Sequence, residues 1–267
     1  MGNYFCAMRD FKNKYGPWAL VAGASEGLGS AFAEQLAQLG LNLILVARRP
    51  EPLEVLSTHL QEKFGVQIVV QSLDLSDFET TKQFVSSLDQ EIGLLVYNAA
   101  YAPIGYFNDI AEQDLDHVVS VNIRTPLLLC KLLSSKMIAN KRGGIVFMSS
   151  LSGTQGSPKI TTYAASKAFL MILAEGLWSE MKEYNVDVVA CCAGAIITPG
   201  YQNAQTKKAP GTLSAGQVAY EALHALGKGA TIVPGFVNKV ARFFMGRVFP
   251  RRWAISIMKQ NTKNLSS

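Results

Sequence analysis

Short apolar runs alternate along the chain with longer stretches in which apolar positions recur every three to four residues. The short runs are Trp18–Ala22, Asn42–Ala47, Gln67–Ser72, Ile92–Tyr97, Gly144–Met148, Asp187–Cys192 and Thr231–Val233. They are rich in Val, Ile and Leu and are bounded by Gly, Asp, Asn or Pro, which predicts strands buried on both faces. Helical spacing fills the gaps over about Leu28–Leu39, Leu53–Phe64, Asp77–Gln90, Gln113–Ala139, Thr161–Tyr184 and Ala215–Leu226. Gly40 stands where a helix C-cap is wanted. This alternation predicts an α/β fold: a Rossmann-like, doubly wound parallel sheet of about seven strands with helices on both faces. No internal repeat, low-complexity tract or linker divides the chain, so residues 1-267 are expected to form one domain.

Composition sharpens this picture in two places. Of 267 residues, 49% are hydrophobic, enough for a sizeable core. The net charge of +5 is unevenly spread. Up to Glu221 there are 17 Lys and Arg against 20 Asp and Glu, a net −3; from Ala222 on there are 8 cations and no acid, a net +8. A basic end beside a near-neutral body suggests an anionic neighbour or a solvated edge. Cys6 and Cys130 stand alone and Cys191 and Cys192 are adjacent, which is neither a disulfide framework nor a zinc site; a reducing, cytoplasmic setting is expected. His59, His117 and His224 are scattered and read as surface or packing residues, so no metal is expected. No signal peptide is read at the N-terminus. No window of about 20 residues is both apolar and uncharged, so no spanning helix is expected. Nor is a nucleic-acid partner.

The first strand runs into Ala22-Gly23-Ala24-Ser25-Glu26-Gly27-Leu28-Gly29, and a helix follows. Glycine at positions 23, 27 and 29 permits a tight turn and close backbone approach to a pyrophosphate, which then meets the unpaired N–H groups of the helix start. Ser25 and Leu28 belong to the same candidate phosphate-binding turn. Nineteen residues after Gly29, the second strand ends in Ala47-Arg48-Arg49. An NAD site usually carries Asp or Glu near here; two guanidinium groups instead suit a 2′-phosphate. NADP(H) is therefore expected over NAD(H), with solvated turn arginines as the alternative.

Tyr163 and Lys167 are four apart in a helical stretch and share a face. An ammonium beside a phenol favours the phenolate and makes Tyr163 a usable general acid/base. Thirteen residues before Tyr163, Ser150 ends a predicted strand, where its hydroxyl can hydrogen-bond a substrate oxygen. Ser150, Tyr163 and Lys167 form the catalytic set expected from these residues.

These segments together resemble the short-chain dehydrogenase/reductase family, in its NADP-preferring form, over about Pro17 to Thr198. The resemblance rests on Gly23-x-x-x-Gly27-x-Gly29, Leu73-Asp74-Leu75, Asn98-Ala99, Val121-Asn122, Ser149-Ser150, Tyr163-Ala164-Ala165-Ser166-Lys167 and Gly194-Ala195-Ile196-Ile197-Thr198, in the family's order. It implies that Asp74 and Leu75 hold adenine, that Asn98, beside Ala99, supports the ribose, and that Asn122 joins the catalytic set by holding a water leading to Lys167. It further implies that Ser150 binds the substrate oxygen and Tyr163 donates its proton. Lys167 would hold the ribose and tune Tyr163. Ile196 and Thr198, after Gly194, would hold the nicotinamide carboxamide. The sequence departs from the family pattern at Ala22 (usually Thr), at Tyr97 and Ala100 around Asn98-Ala99, and at Ala193 (usually Pro).

The resemblance implies a single dinucleotide-binding catalytic domain that transfers hydride between nicotinamide and a carbonyl or secondary alcohol. Candidate substrate walls are Tyr101–Phe107, Leu151–Ile160 and Pro199–Leu213, with Tyr101, Tyr106, Phe107, Ile160 and Tyr201 suggesting a lipophilic ketone and Lys207-Lys208 as a possible anion contact. A catalytically silent NADP-binding sensor or scaffold is the alternative, as is a peripheral membrane protein using the basic tail. A homo-oligomer, dimer or tetramer, is expected. In the segment 236-267 large apolar residues alternate with basic ones, a basic amphipathic pattern interrupted at Pro250. It is open whether this segment packs against the body, caps the pocket, packs in a subunit interface or lies on an anionic membrane.

Overall fold

The computed structural model describes residues 2–198, 209–263 and 265, with side chains from Arg9 onward. Helix α1 (Gly2–Tyr15) leads into β1 (Trp18–Ala22), α2 (Gly27–Gln38), β2 (Asn42–Ala47), α3 (Pro50–Phe64), β3 (Ile68–Ser72), α4 (Phe78–Ser86) and β4 (Ile92–Tyr97). Then come α5 (Glu112–Val119), a π-turn (Ser120–Arg124), α6 (Thr125–Ala139), β5 (Gly143–Ser150), α7 (Thr161–Met181) and β6 (Val186–Ala193). The chain continues through β7 (Ile196–Ile197), β8 (Leu213–Ser214), α8 (Ala215–Ala225) and β9 (Thr231–Ile232). It closes with α9 (Phe236–Phe243), a second π-turn (Phe244–Val248) and α10 (Arg251–Thr262).

Seven strands form one parallel sheet in the order β3-β2-β1-β4-β5-β6-β9. The order reverses between β1 and β4, so the carboxyl ends of these two strands flank a crevice, the usual ligand position in such sheets. Strand alternation sends successive side chains to opposite faces. Ala19 and Val21 join a core with Phe32, Leu36 and Val218, whereas Leu20 and Ala22 join Leu129, Leu133 and Leu170 on the other side. Both faces are dry, which is why the strands read as continuous apolar runs.

Local chemistry fixes the helix ends. Pro50 starts α3, and Gly65 ends it in the left-handed region, its N–H donating to the Gln61 carbonyl. Asp77 caps α4 by accepting from the Thr80 N–H, and Ser214 with Gln217 forms a capping box on α8. The expected strands all form, with ends shifted by two residues at most. Helix α1 and the two-residue pair β7–β8 had not been expected. Among the described residues one helical run, Glu112–Ala139, is long and apolar enough to cross a membrane, contrary to the sequence expectation. Its Leu129, Cys130, Leu133 and Met137 are instead buried against the sheet.

Candidate active site

The turn after β1 is shaped by glycine. Gly23 has φ 83°, and a Cβ there would stand 2.7 Å from the Ala99 backbone. Only glycine lets the loops after β1 and β4 approach this closely. The Asn98 side chain then donates to the Gly23 carbonyl at 2.9 Å, and the Asn98 and Ala99 N–H groups both donate to the Ala22 carbonyl. Gly29 packs behind the turn. It does not line the crevice; a Cβ there would lie 1.9 Å from the Gly23 carbonyl oxygen, so its role is to seat α2 against the turn. The Ncap residue of α2, Glu26, makes no side-chain cap, which leaves first-turn N–H groups facing the crevice.

The crevice has two lobes that share Glu26, Asn98 and Ala100. The first, about 550 Å³, is bounded by Gly23, Ser25, Arg48, Arg49, Asp74 and Leu75. The second, about 390 Å³, is bounded by Gly27, Leu28, Tyr163, Lys167, Gly194, Ile196 and Thr198. The two arginines are not equivalent. Arg49 pairs with Glu26 at 2.9 Å, while Arg48 has no carboxylate within ion-pair distance among the described residues. Asp74 accepts from the N–H and hydroxyl of Ser76 at 2.9 and 2.8 Å. Burial acts to raise its pKa, but the Ser76 bonds and the nearby His117 and Arg48 outweigh it and hold the carboxyl below its ordinary range. The Leu75 carbonyl is taken by the Thr125 hydroxyl at 2.6 Å.

The chemical groups sit where β5 meets α7. Ser150 ends β5 in register with Ala193, and its hydroxyl accepts from the Ser152 hydroxyl at 2.9 Å. Lys167 is 2% exposed; its Nζ donates to the Met148 carbonyl at 2.6 Å and lies 5.4 Å from the centre of the Tyr163 ring. Burial, which disfavours the ammonium, lowers its pKa from 10.5 to about 8. Burial raises the Tyr163 pKa, and a hydrogen bond from Ser150 opposes that rise.

Asn122 ties two elements together through its side chain. It is fully buried in the first π-turn, its Oδ1 accepts from the Tyr101 N–H at 2.7 Å, and its amide donates to the Tyr101 carbonyl and the Ser166 hydroxyl. Both amide hydrogens are used, so the side chain pins the loop after β4 to α7. The unusual Tyr97 serves the same junction, with its hydroxyl donating to the Val121 carbonyl.

Two crevice residues escaped the sequence reading. His117, taken for a packing residue, lines the first lobe and meets Tyr101 edge-on at 4.6 Å. Its place on α5, one helix face turned to the crevice, was the available signal. Glu26, to which the sequence assigns no role, borders both lobes. Tyr201 and Lys207-Lys208 lie outside the described residues. Among the described residues no His, Cys, Asp and Glu group is placed to hold a metal.

A family profile described as short chain dehydrogenase matches residues 17–209. The chain is 33% identical over 234 residues to the 7beta-hydroxysteroid dehydrogenase of Clostridium sardiniense, covering 86% of this chain and 90% of that one. A solved 7beta-hydroxysteroid dehydrogenase structure superposes with a TM-score of 0.88 at 28% identity, covering 93% of this chain and 98% of that one. The bulky-bulky ketone specific alcohol dehydrogenase from Comamonas testosteroni gives 0.74 at 26% identity, with 93% of each chain covered. With the glycine turn, the two-lobed crevice and the Ser150–Tyr163–Lys167 cluster, these matches mean that the chain belongs to the short-chain dehydrogenase/reductase family, oxidoreductases that exchange hydride between a nicotinamide cofactor and a CH–OH or C=O carbon.

Proposed function

We propose that this chain is an NADP(H)-dependent oxidoreductase acting on a lipophilic ketone or its secondary alcohol, with Ser150, Tyr163 and Lys167 carrying the proton chemistry. The carrying observation is the desolvated Lys167 beside the Tyr163 phenol at the crevice's switch point. Gly23 and the uncapped start of α2 fit a pyrophosphate; Arg48, free of any carboxylate among the described residues, fits a 2′-phosphate. The bound nicotinamide supplies the hydride. Ser150 holds the substrate oxygen in place. Tyr163, kept protonated by its burial, gives its hydroxyl proton to that oxygen as the carbon is reduced. The Lys167 ammonium stabilises the phenolate left behind. Oxidation runs the same path backwards, with the phenolate as base.

Room for a bulky substrate comes from a recess of about 780 Å³ that opens from Tyr101, with Pro103, Ile104, Tyr106 and Leu265 as apolar walls and Asp109, Asp114 and Lys159 as charged ones. The names of the similar proteins, a hydroxysteroid dehydrogenase and a bulky ketone specific alcohol dehydrogenase, point the same way. Exposed Val119, Leu127 and Ile172 on the outer sides of α5, α6 and α7 support a homo-oligomer, and the free, buried thiols of Cys130, Cys191 and Cys192 suit the cytoplasm. The test is steady-state turnover of a panel of small and bulky ketones with NADPH and NADH, in the native protein and in Arg48→Ala. We expect turnover of bulky ketones with NADPH. Arg48→Ala should weaken NADPH by about ten- to a hundredfold, the worth of a charge-assisted hydrogen bond, and spare NADH. Equal losses for both cofactors would remove the 2′-phosphate assignment.

A further inference from the structure

Helix α9 is built inside out. Its one buried side chain is polar: Asn238, 4% exposed, donates to the carbonyls of Gly211 and Pro234 at 3.0 Å each. Its large apolar residues face outward, led by Phe236 at 80% exposed, with Val237, Val240 and Phe243 beside it. An amphipathic helix in a globular fold buries its apolar side; this one presents it. The outward face continues past the second π-turn as a connected aromatic ridge. Phe243 meets Phe244 at 5.6 Å, Phe244 meets Phe249 at 6.0 Å, and Phe249 meets Trp253 at 6.3 Å. Trp253 is 56% exposed.

Cations accompany this ridge. Lys239, Arg242, Arg247 and Arg251 border one recess of about 640 Å³. Lys239 lies 3.8 Å from Glu221; the three arginines have no carboxylate within ion-pair distance among the described residues. The chain after Glu221 carries eight cations and no acid. A contiguous apolar patch flanked by positive charge marks an interaction surface, and the charge decides what fits it. A second copy paired about a two-fold axis would bring the same patch, which after Glu221 has no carboxylate to offer the arginines. An anionic bilayer accepts both parts: acyl chains take the aromatic ridge and headgroups take the exposed Arg247 and Arg252.

We propose that the α9–α10 face is a docking surface for an anionic lipid bilayer. The surface is stapled to the loop that follows Ser150. Arg251 donates to the Thr154 carbonyl at 2.7 Å, and Lys159 donates to the carbonyls of Lys263 and Leu265 at 2.8 and 3.0 Å. Ile255 packs over Gly156. Docking therefore sets the recess bordered by Tyr106 and Leu265 beside the lipid. The docking itself does not depend on the assignment of the chemistry.

The full-length protein is tested by co-sedimentation with phosphatidylcholine vesicles and with equimolar phosphatidylglycerol–phosphatidylcholine vesicles, at low and high salt. The protein should pellet with the anionic vesicles only, less so at high salt. Its tryptophan emission should shift to the blue, a shift that Trp253→Phe removes. Phe243→Ser with Phe249→Ser, and separately Arg247→Glu with Arg252→Glu, should each weaken binding by at least about tenfold. Both variants should keep the native circular dichroism spectrum and turnover of a water-soluble ketone. Absence of pelleting, or pelleting unchanged by both variants, would overturn the proposal. So would sedimentation equilibrium showing a dimer that Phe243→Ser dissociates while vesicles are ignored.

Discussion

The crevice and the C-terminal face spend the same residue types in opposite ways. In the crevice, polar side chains that shape the walls are tied down: Asn98 holds Gly23, Asn122 holds Tyr101 and Ser166, and Lys167 holds Met148. Among the described residues no buried side-chain nitrogen or oxygen lacks a hydrogen bond. On the C-terminal face the buried group is again an asparagine, Asn238, but there the phenylalanines stand in solvent. The first region is complete once its small ligands arrive. The second has an apolar surface left exposed among the described residues. The difference teaches that burial follows what each surface must meet, and that a hydrophobic residue is not core by default.

The comparison breaks most severely at Tyr163. Tyr163→Phe removes one oxygen from the crevice and keeps the ring. We expect turnover to fall by about a hundred- to ten-thousandfold, the range for a lost general acid, with cofactor affinity retained in a fluorescence titration. Retained activity would end the acid/base assignment. Lys167 sharpens the same region through pH. Its pKa of about 8 means that it is an ammonium below that pH and neutral above it. Ketone reduction should therefore be fastest below about pH 8 and decline as pH rises through it. In Lys167→Arg, whose guanidinium does not titrate in this range, that alkaline limb should vanish from the profile of kcat/KM for NADPH, which reports the ligand-free protein, whatever the overall rate. The smallest effect belongs to the other region. Phe236→Ser should change the free energy of unfolding by no more than about 0.5 kcal/mol, as for an exposed site free of special contacts. A loss of several kcal/mol in urea titration would show that Phe236 is packed, and the contrast between the regions would fail.

Much of this was legible in the chain. Strands such as Trp18–Ala22, Asn42–Ala47 and Ile92–Tyr97 declare themselves because both sheet faces are dry, so apolar content alone marks them. The glycine turn and the Tyr163–Lys167 spacing are local, and local patterns survive folding. What was not legible is long-range. Helix α1 is held at its end by the Tyr15 hydroxyl, which donates to Asp187, 172 residues away, and by the Lys14–Asp187 ion pair at 2.6 Å. Nothing near either residue announces that partner. The pairing of Arg49 with Glu26 separates two arginines that are equivalent in sequence, and the turn of α5 toward the crevice promotes His117 from bystander to wall. The periodicity after Phe236 was visible, but periodicity names a face without saying which way it points; the polar anchor Asn238 decided that.

The burial of Lys167 carries a thermodynamic charge of its own. A folded pKa of about 8 against an ordinary 10.5 means that the unfolded chain binds this proton more readily than the folded one. Below pH 8 the native state therefore carries a desolvation penalty of about 3 kcal/mol, at about 1.4 kcal/mol per pH unit. The penalty is relieved as pH rises from about 8 toward 10.5, so this group alone makes the ligand-free protein sturdier in mild alkali than at neutrality. It is of the same order as the thin margin by which domains stay folded. The lysine that readies the phenol is thus a standing weakness of the resting protein, and any ligand that gives its ammonium a better partner than the Met148 carbonyl returns that stability on binding.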